Sequence, residues 1–185
     1  MNKTFNYAII GKNWGSKINK ILRGLNKNSI IVDLDYKNLK FNNYLNELKK
    51  IIFNNKISVV WLAIPADKQY LLCKFLIDCK VHLILEKPMI FNKYQKNIIN
   101  KSLKKNNLHL SVNFQYIFLY ELLNFDHKLN FDNIEYIFNH SNPKKNLSPE
   151  IDLGIHMVAI KKIYFNRINN YKLKTSFNNI NQRYI

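Results

Sequence analysis

Three short constellations in this sequence carry side chains whose types and spacing could do chemistry. The first is Glu86-Lys87-Pro88, which closes the stretch from Val59 to Met89. A lysine at the end of a strand is a positional cation or a proton donor. The proline after it biases the preceding residue towards extended backbone and so holds Lys87 in one orientation. The second is Asp152-Leu153-Gly154-Ile155-His156, whose aspartate and histidine are four residues apart. On a helix that spacing points both side chains towards one space. Imidazole titrates near neutrality and is the usual proton carrier for an alcohol that becomes a carbonyl, while the aspartate can orient the ring or bind a substrate hydroxyl. The third is Gly11-Lys12-Asn13-Trp14-Gly15, a glycine turn before a helical pattern, where amide hydrogens at the helix N-terminus can receive a phosphate group.

The elements that must position these groups are legible as alternating strands and helices. Val59 to Met89 reads as an apolar run, a turn at Pro65, a helical-period segment and a second apolar run, which is a β-α-β unit. In an open parallel sheet the ligand crevice lies outside the carboxyl ends of the strands, so Pro65 and Lys87 both stand at its mouth. Phe5 to Ile10 predicts the first strand, and Ile18, Ile21, Leu22 and Leu25 recur at helical spacing after the glycine turn. Ile30 to Leu34 predicts the second strand, with Asp33 and Asp35 at its end. Leu45, Leu48, Ile51 and Ile52 mark the next helix. Tyr94, Ile98, Ile99 and Leu103 mark another, and Leu108 to Phe114 a further strand. The expected fold class is therefore α/β, a Rossmann-type parallel sheet complete at about residue 115.

Residues 116–185 predict a reduced α+β C-terminal domain. Glu121 to Phe125 suits a short helix and Asn133 to Phe138 alternates as a strand. Ser141 to Pro149 reads as a loop that supplies Ser148 as a helix N-cap, with Pro149 at the first helical position. The helix it starts carries Asp152 and His156 and ends near Tyr164. Tyr171 to Phe177 predicts one more strand before an asparagine-rich end. A sheet this small leaves an edge and an apolar face to be covered, so the expectation is a homo-oligomer, a dimer through the C-terminal sheet.

Composition removes several classes of function. With 47% hydrophobic and 14% aromatic residues, the 185-residue chain can bury a core and is not a disordered tail. No apolar run reaches the ~18 residues of a membrane span, and the N-terminus lacks the order of a signal peptide, which points to the cytoplasm. A net charge of +17 ordinarily suggests an anionic partner such as nucleic acid. Here, however, the lysines are spread along the whole chain among many asparagines and isoleucines, the composition an AT-rich genome produces. The basic clusters Lys104-Lys105 and Lys144-Lys145 are only pairs, without the interleaved aromatics a single-strand reader needs. Cys73 and Cys79 fall six apart, which is neither metal-ligand nor thioredoxin spacing, and the histidines are scattered, so no metal is expected.

Taken together, the glycine turn, the EKP strand end and the D-x-G-x-H helix resemble the glucose-fructose oxidoreductase and inositol dehydrogenase family of NAD(P)-dependent oxidoreductases. In that family the Glu-Lys-Pro lysine lies beside the nicotinamide and the aspartate and histidine join it in the active site. The resemblance implies catalytic roles for Lys87, Asp152 and His156. It implies cofactor contacts from Gly11, Asn13, Trp14, Gly15, Asp33, Asp35, Ile64, Pro65, Glu86 and Lys87. Either His156 or Lys87 takes the hydroxyl proton while the other polarises the oxygen. A carboxylate at Asp33, with Asp35 as understudy, accepts hydrogen bonds from the adenosine ribose and repels a 2′-phosphate, which favours NAD, while Lys37 nearby leaves NADP open.

The implied substrate is a small molecule: a sugar, a sugar nucleotide or a related cyclic compound. The sequence also departs from the family's pattern. The turn lacks the second glycine of G-x-G-x-x-G and one residue of length, a shortening shared with thiazolinyl imine reductases. Gln69 stands where a histidine is frequent, Ile117 replaces an arginine and Ala159 an aspartate. These departures keep two alternatives in view, a non-catalytic nucleotide-binding or partner subunit and a thiazolinyl-imine-type reductase.

Overall fold

A computed structural model of the chain describes residues 4–33, 41–115, 117, 138–139, 155–156, 158–159 and 183–184. The chain divides into two compact units, Met1–Asn113 and Phe114–Ile185. In the first unit β1 (Asn6–Ile10), β2 (Asn28–Val32), β3 (Val59–Leu62), β4 (His82–Glu86) and β5 (Leu110–Asn113) form one parallel sheet in the order β2-β1-β3-β4-β5. The connections are α1 (Asn13–Gly24), α2 (Phe41–Asn54), α3 (Ala66–Asp78) and α4 (Lys93–Asn106). The chain first runs outward from β1 to β2, then returns past β1 to β3 and continues in one direction. With right-handed crossovers, that reversal sends α1 to one face of the sheet and α2, α3 and α4 to the other.

The strands are read almost continuously in apolar residues because both faces are covered. Side chains alternate between the faces along each strand. On one face Ala8, Ile10, Val60, Leu62, Leu83 and Leu85 pack with Leu48 and Ile52 of α2, Leu72 and Leu76 of α3, and Ile99 of α4. On the other, Ile9 meets Ile18 and Leu22 of α1, with Tyr7, Trp61 and Ala63 against them. Each such fully buried aliphatic side chain contributes about 1.5–3 kcal/mol of transfer free energy. The stripe α1 buries is Gly15, Ile18 and Leu22, whereas Ile21 and Leu25, which share its period, face solvent. The second strand also begins and ends two residues earlier than its apolar run suggests, since Asn28 and Ser29 pair with Asn6 and Tyr7 of β1.

Helix starts differ in a way that bears on the site. At α4, Asn92 and Gln95 form a reciprocal capping box, with bonds of 2.8 and 3.0 Å, and the helix ends on Asn107 in the left-handed region. The N-cap residues of α1 and α3 are Lys12 and Pro65, and neither makes a side-chain cap. Both helices leave the carboxyl edge of the sheet.

In the second unit, Gln115 and Ile117 are helical, and the Ile117 amide donates to the Phe114 carbonyl at 2.9 Å. β6 (Phe138–Asn139) pairs antiparallel with β7 (Arg183–Tyr184). The second of these strands falls in the asparagine-rich end, where the sequence pattern gives no strand signal. Residues 155–156 and 158–159 are helical. The expected helix over 121–125, the loop at 141–149 with Ser148 and Pro149, and the strand over 171–177 lie outside the described residues.

Cys73 and Cys79 are free and buried at α3 and its C-terminus. Burial pushes the Cys73 thiol up from 9.0 to about 12, and burial also raises Cys79, with Lys49 opposing and Asp78 adding to the rise. Because only the unfolded Cys73 thiol ionises above 9.0, its stabilising contribution is present below that pH and is lost as pH rises towards about 12. At pH 8 neither thiol should react with an aromatic disulfide reagent in the folded protein, and both should react in urea. Rapid native-state labelling of Cys73 would mean that the α3 face is not sealed.

Candidate functional site

The sheet order reverses between β1 and β3, and at that point the two chain segments leaving the sheet touch. The Ala63 amide donates to the Ile10 carbonyl at 2.8 Å, which draws the end of β3 against the turn after β1. Gly11 there has φ +125°, and a Cβ at this position would lie 2.2 Å from the Ala63 carbonyl oxygen. Any side chain is excluded twice, by backbone conformation and by space. Gly15, one turn into α1, faces Ile9, whose Cγ2 would be 2.9 Å from a Cβ placed there. The first glycine thus makes the turn and the last lets helix and strand close together, the division of labour expected of a dinucleotide-binding turn.

The missing second glycine has a local explanation. Lys12 already adopts right-handed helical backbone, and Asn13 is the first residue of α1, so the chain passes from strand to helix without the extra loop residue. The amides of Asn13, Trp14 and Gly15 occupy the first turn, ahead of the bond from Ser16 N to the Lys12 carbonyl at 3.0 Å. That turn holds no acidic side chain and no side-chain cap, so its positive end is available to an anion. Trp14 is half-exposed, with the Lys17 ammonium 5.2 Å from its ring centre.

Asp33 follows directly on Val32, which pairs with Ile10, and therefore stands one strand across from the glycine turn. Its Oδ1 lies 2.6 Å from the Lys12 ammonium, and both side chains are roughly two-thirds exposed, at 63% and 69%. Asp35 and Lys37 lie outside the described residues.

Glu86 ends β4 and is held from both neighbouring strands. Trp61 Nε1 of β3 donates to Glu86 Oε1 at 3.0 Å, and Asn113 Nδ2 of β5 donates to the same oxygen at 2.8 Å. An ordinary intramolecular hydrogen bond contributes about 0.5–1.5 kcal/mol net. The Glu86 carbonyl accepts from Gln69 Nε2 at 2.9 Å, and the same nitrogen reaches the Ile64 carbonyl at 3.4 Å. Gln69 is fully buried, and its Oε1 has no donor among the described residues. One amide thus fastens the Ile64-Pro65 turn to the strand end that presents Lys87, which is half-buried and joined to Pro88 by a cis peptide.

The structure therefore gathers Gly11, Asn13, Trp14, Gly15, Asp33, Ile64, Pro65, Glu86 and Lys87 along the carboxyl edge of one sheet. His156 belongs to the second unit, where it is helical and buried, its ring set edge-on to Phe114 with centroids 6.2 Å apart. Asp152 lies outside the described residues. Ile117 and Ala159, which replace charged residues of the resembled pattern, are both helical and half-buried. Trp61, Asn113 and Lys12 are positioning groups that motif reading passes over, whereas Gln69 stands out in the sequence only as a departure from the family's histidine. The signal of the first three is weak but real: each is polar or polar-tipped and falls near the carboxyl end of a strand. His82 and His109 stack at the opposite, amino edge, where the His109 amide donates to His82 Nδ1 at 3.1 Å. Among the described residues no cluster of three or more potential metal ligands occurs, and no helix is long and apolar enough to cross a membrane.

Comparison with known proteins bears on the same segment. Residues 5–114 match the family model described as "Oxidoreductase family, NAD-binding Rossmann fold". A search of curated proteins finds no match to the chain. Among solved structures, a candidate oxidoreductase from Magnetospirillum magnetotacticum superposes with a TM-score of 0.65 at 15% identity, over 89% of this chain and 58% of the other. The candidate oxidoreductase YvaA from Bacillus subtilis gives 0.59 at 18% identity, over 84% and 51%. An NAD-binding protein from Listeria innocua gives 0.56 at 16%, also over 84% and 51%. At these identities the likeness is one of fold. The chain spans about half the length of these solved structures.

The three glycines of the first unit's opening helix and turn give a graded test. Gly11→Ala should cost about 3 kcal/mol or more. Gly15→Ala should cost about 1–3 kcal/mol as overpacking against a side-chain tip. At Gly24 a Cβ meets nothing within 4 Å, and alanine there should be neutral or stabilising by up to about 1 kcal/mol. Urea midpoints in any other order would show that the turn does not close as described.

Proposed function

The chain belongs to the oxidoreductase family with the NAD-binding Rossmann fold, and from that premise we propose that it transfers hydride between a nicotinamide dinucleotide and a carbinol carbon of a small cyclic substrate. The observation that carries this reading is the convergence of the Gly11 turn, the uncapped start of α1 and the Lys87 strand end on one edge of the sheet. The residues present fit the cofactor. Gly11 makes the tight turn and Gly15 lets α1 close on Ile9, the first-turn amides are open to an anion without a competing cap, and Asp33 offers a carboxylate to the ribose. When bound, the nicotinamide supplies the hydride acceptor or donor.

The rest of the chemistry falls to the chain's own groups. Glu86, fixed by Trp61, Asn113 and Gln69, holds the strand end from which Lys87 extends. Lys87 and His156 divide two tasks, removal of the hydroxyl proton and polarisation of the oxygen, with Asp152 orienting the imidazole or binding a substrate hydroxyl. The substrate class is a sugar, a sugar nucleotide or a related cyclic polyol, the commonest among the proteins this sequence resembles. Imine reduction is a variant within the same chemistry, supported by the shortened glycine turn. Residues 1–115 serve the dinucleotide and 116–185 the substrate and self-association, as a dimer in the cytoplasm. Ile117 and Ala159 favour a second reading, a nucleotide-binding subunit that does not turn over substrate.

Titration of NADH and NADPH against the purified protein should show saturable binding below about 1 mM, the upper end of ordinary substrate constants. Lys87→Ala and His156→Ala should each lower turnover on a panel of sugars and sugar nucleotides by about 10²–10⁴-fold, with dinucleotide affinity little changed in His156→Ala. Absence of dinucleotide binding at millimolar concentration would end the enzyme reading. Binding without turnover on any panel member would favour the second.

A further inference from the structure

A carboxylate at the end of the second strand of a dinucleotide fold ordinarily receives the ribose hydroxyls and turns away a 2′-phosphate by like-charge repulsion. In this chain that carboxylate does not stand alone. The Lys12 ammonium lies 2.6 Å from Asp33 Oδ1, on the residue directly after Gly11 and at the N-cap of α1. We propose that Lys12 is a specificity-determining residue that makes the adenosine end of the site permissive to a 2′-phosphate, so that phosphorylated and unphosphorylated nicotinamide dinucleotides are both bound. The inference rests on the dinucleotide reading given above and goes further, to which of the two dinucleotides the site accepts and why.

Three features support it. The pair is compact, so Asp33 presents a near-neutral dipole and not a bare anion, which removes most of the repulsion it would offer a phosphate. It is also exposed, with the two side chains at 69% and 63%, so solvent and salt screen it and the ammonium can leave Asp33 at little cost. Finally, the backbone of Lys12 is fixed between the Gly11 turn and the first turn of α1, whereas its stem is flexible. With a ribose bearing free hydroxyls, the ammonium stays on Oδ1 and Oδ2 remains to accept a hydrogen bond. With a 2′-phosphate, the ammonium swings to the phosphate oxygens. One loop then serves both ligands through one rotamer change.

The test measures binding, independently of catalysis. NADH, NADPH, 5′-AMP and 2′,5′-ADP are titrated against wild type, Lys12→Gln and Asp33→Asn, using nicotinamide fluorescence for the dinucleotides and competition for the two adenosine fragments. Wild type should bind the two dinucleotides within about tenfold of each other. Lys12→Gln should weaken NADPH and 2′,5′-ADP by about tenfold or more while NADH and 5′-AMP move less than about threefold. Asp33→Asn should do the reverse, tightening NADPH and weakening NADH. Raising the salt from roughly 0.05 to 0.3 M should weaken NADPH more than NADH in wild type, and that difference should shrink in Lys12→Gln.

Equal weakening of both dinucleotides by Lys12→Gln would assign the ammonium to the shared pyrophosphate and overturn the proposal, as would no change in either. Both substituted side chains are exposed, and unchanged urea midpoints will show that folding is not the cause. Failure of wild type to bind either dinucleotide would remove the functional reading itself. NADH binding with a silent Lys12→Gln would remove this inference alone.

Discussion

A Cβ at Gly11 would come within 2.2 Å of the Ala63 carbonyl oxygen, and the whole carboxyl edge of the sheet is built around the contact that this glycine permits. The contact exists because the chain reverses its direction of travel between β1 and β3, which leaves two adjacent parallel strands whose exits go to opposite faces. Parallel strands with diverging exits open a crevice at their carboxyl ends. The closer the two exits lie, the better the first turn of α1 is aimed into that crevice. Gly15 continues the same logic one turn later, letting α1 lie against Ile9. Stability and site geometry therefore share one cause here: the packing that buries Ile9, Ile18 and Leu22 also fixes where the α1 amides point.

A second constraint acts two strands away. Glu86 spends one carboxylate oxygen on Trp61 and Asn113, so three neighbouring strands are tied at the residue before Lys87. Gln69 adds a bond to the Glu86 backbone and reaches the exit of β3 at Ile64. A strand end carrying a long flexible lysine would otherwise fray, because its last carbonyl has no partner beyond the sheet. Here the bonds from Trp61, Asn113 and Gln69 all fall on Glu86, the residue just before the lysine. The glutamate before the lysine accepts from both sides at once through the two lone pairs of Oε1.

The regular part of this fold was legible in sequence because burial on both faces forces apolar runs into the strands and helical spacing into the connections. The Val59–Met89 stretch gave strand, turn, helix and strand in order, and the glycine turn and Asp33 fell where the periodicity put them. What escaped was of three kinds. Partners brought together by register, such as Trp61, Glu86 and Asn113, lie 25 and 27 residues from the glutamate along the chain, and nothing local marks them. Faces of helices were also misjudged at their margins, since Ile21 and Leu25 share the spacing of Ile18 and Leu22 yet face water on the far side of a short α1. Lys12 is a third case. Its charge was visible, but in a chain of 29 lysines and arginines a single one at a turn carries no signal until its partner is located.

That excess of basic residues also changes how electrostatics should be read in this protein. With a net charge of +17 the mean field around any surface carboxylate is already positive, so an isolated Asp33 would attract whichever of many ammonium groups could reach it. Lys12 reaches it because the Gly11 turn holds its backbone one residue from β1, beside the end of β2. The turn fixes the backbone of Lys12, though not its stem, relative to the helix amides at the same edge. Three sources of positive potential, the α1 amides, Lys12 and the general charge of the chain, then act in one place beside the Asp33 carboxylate. The balance at that edge favours an anionic ligand, and it does so whether or not composition alone accounts for the remaining lysines.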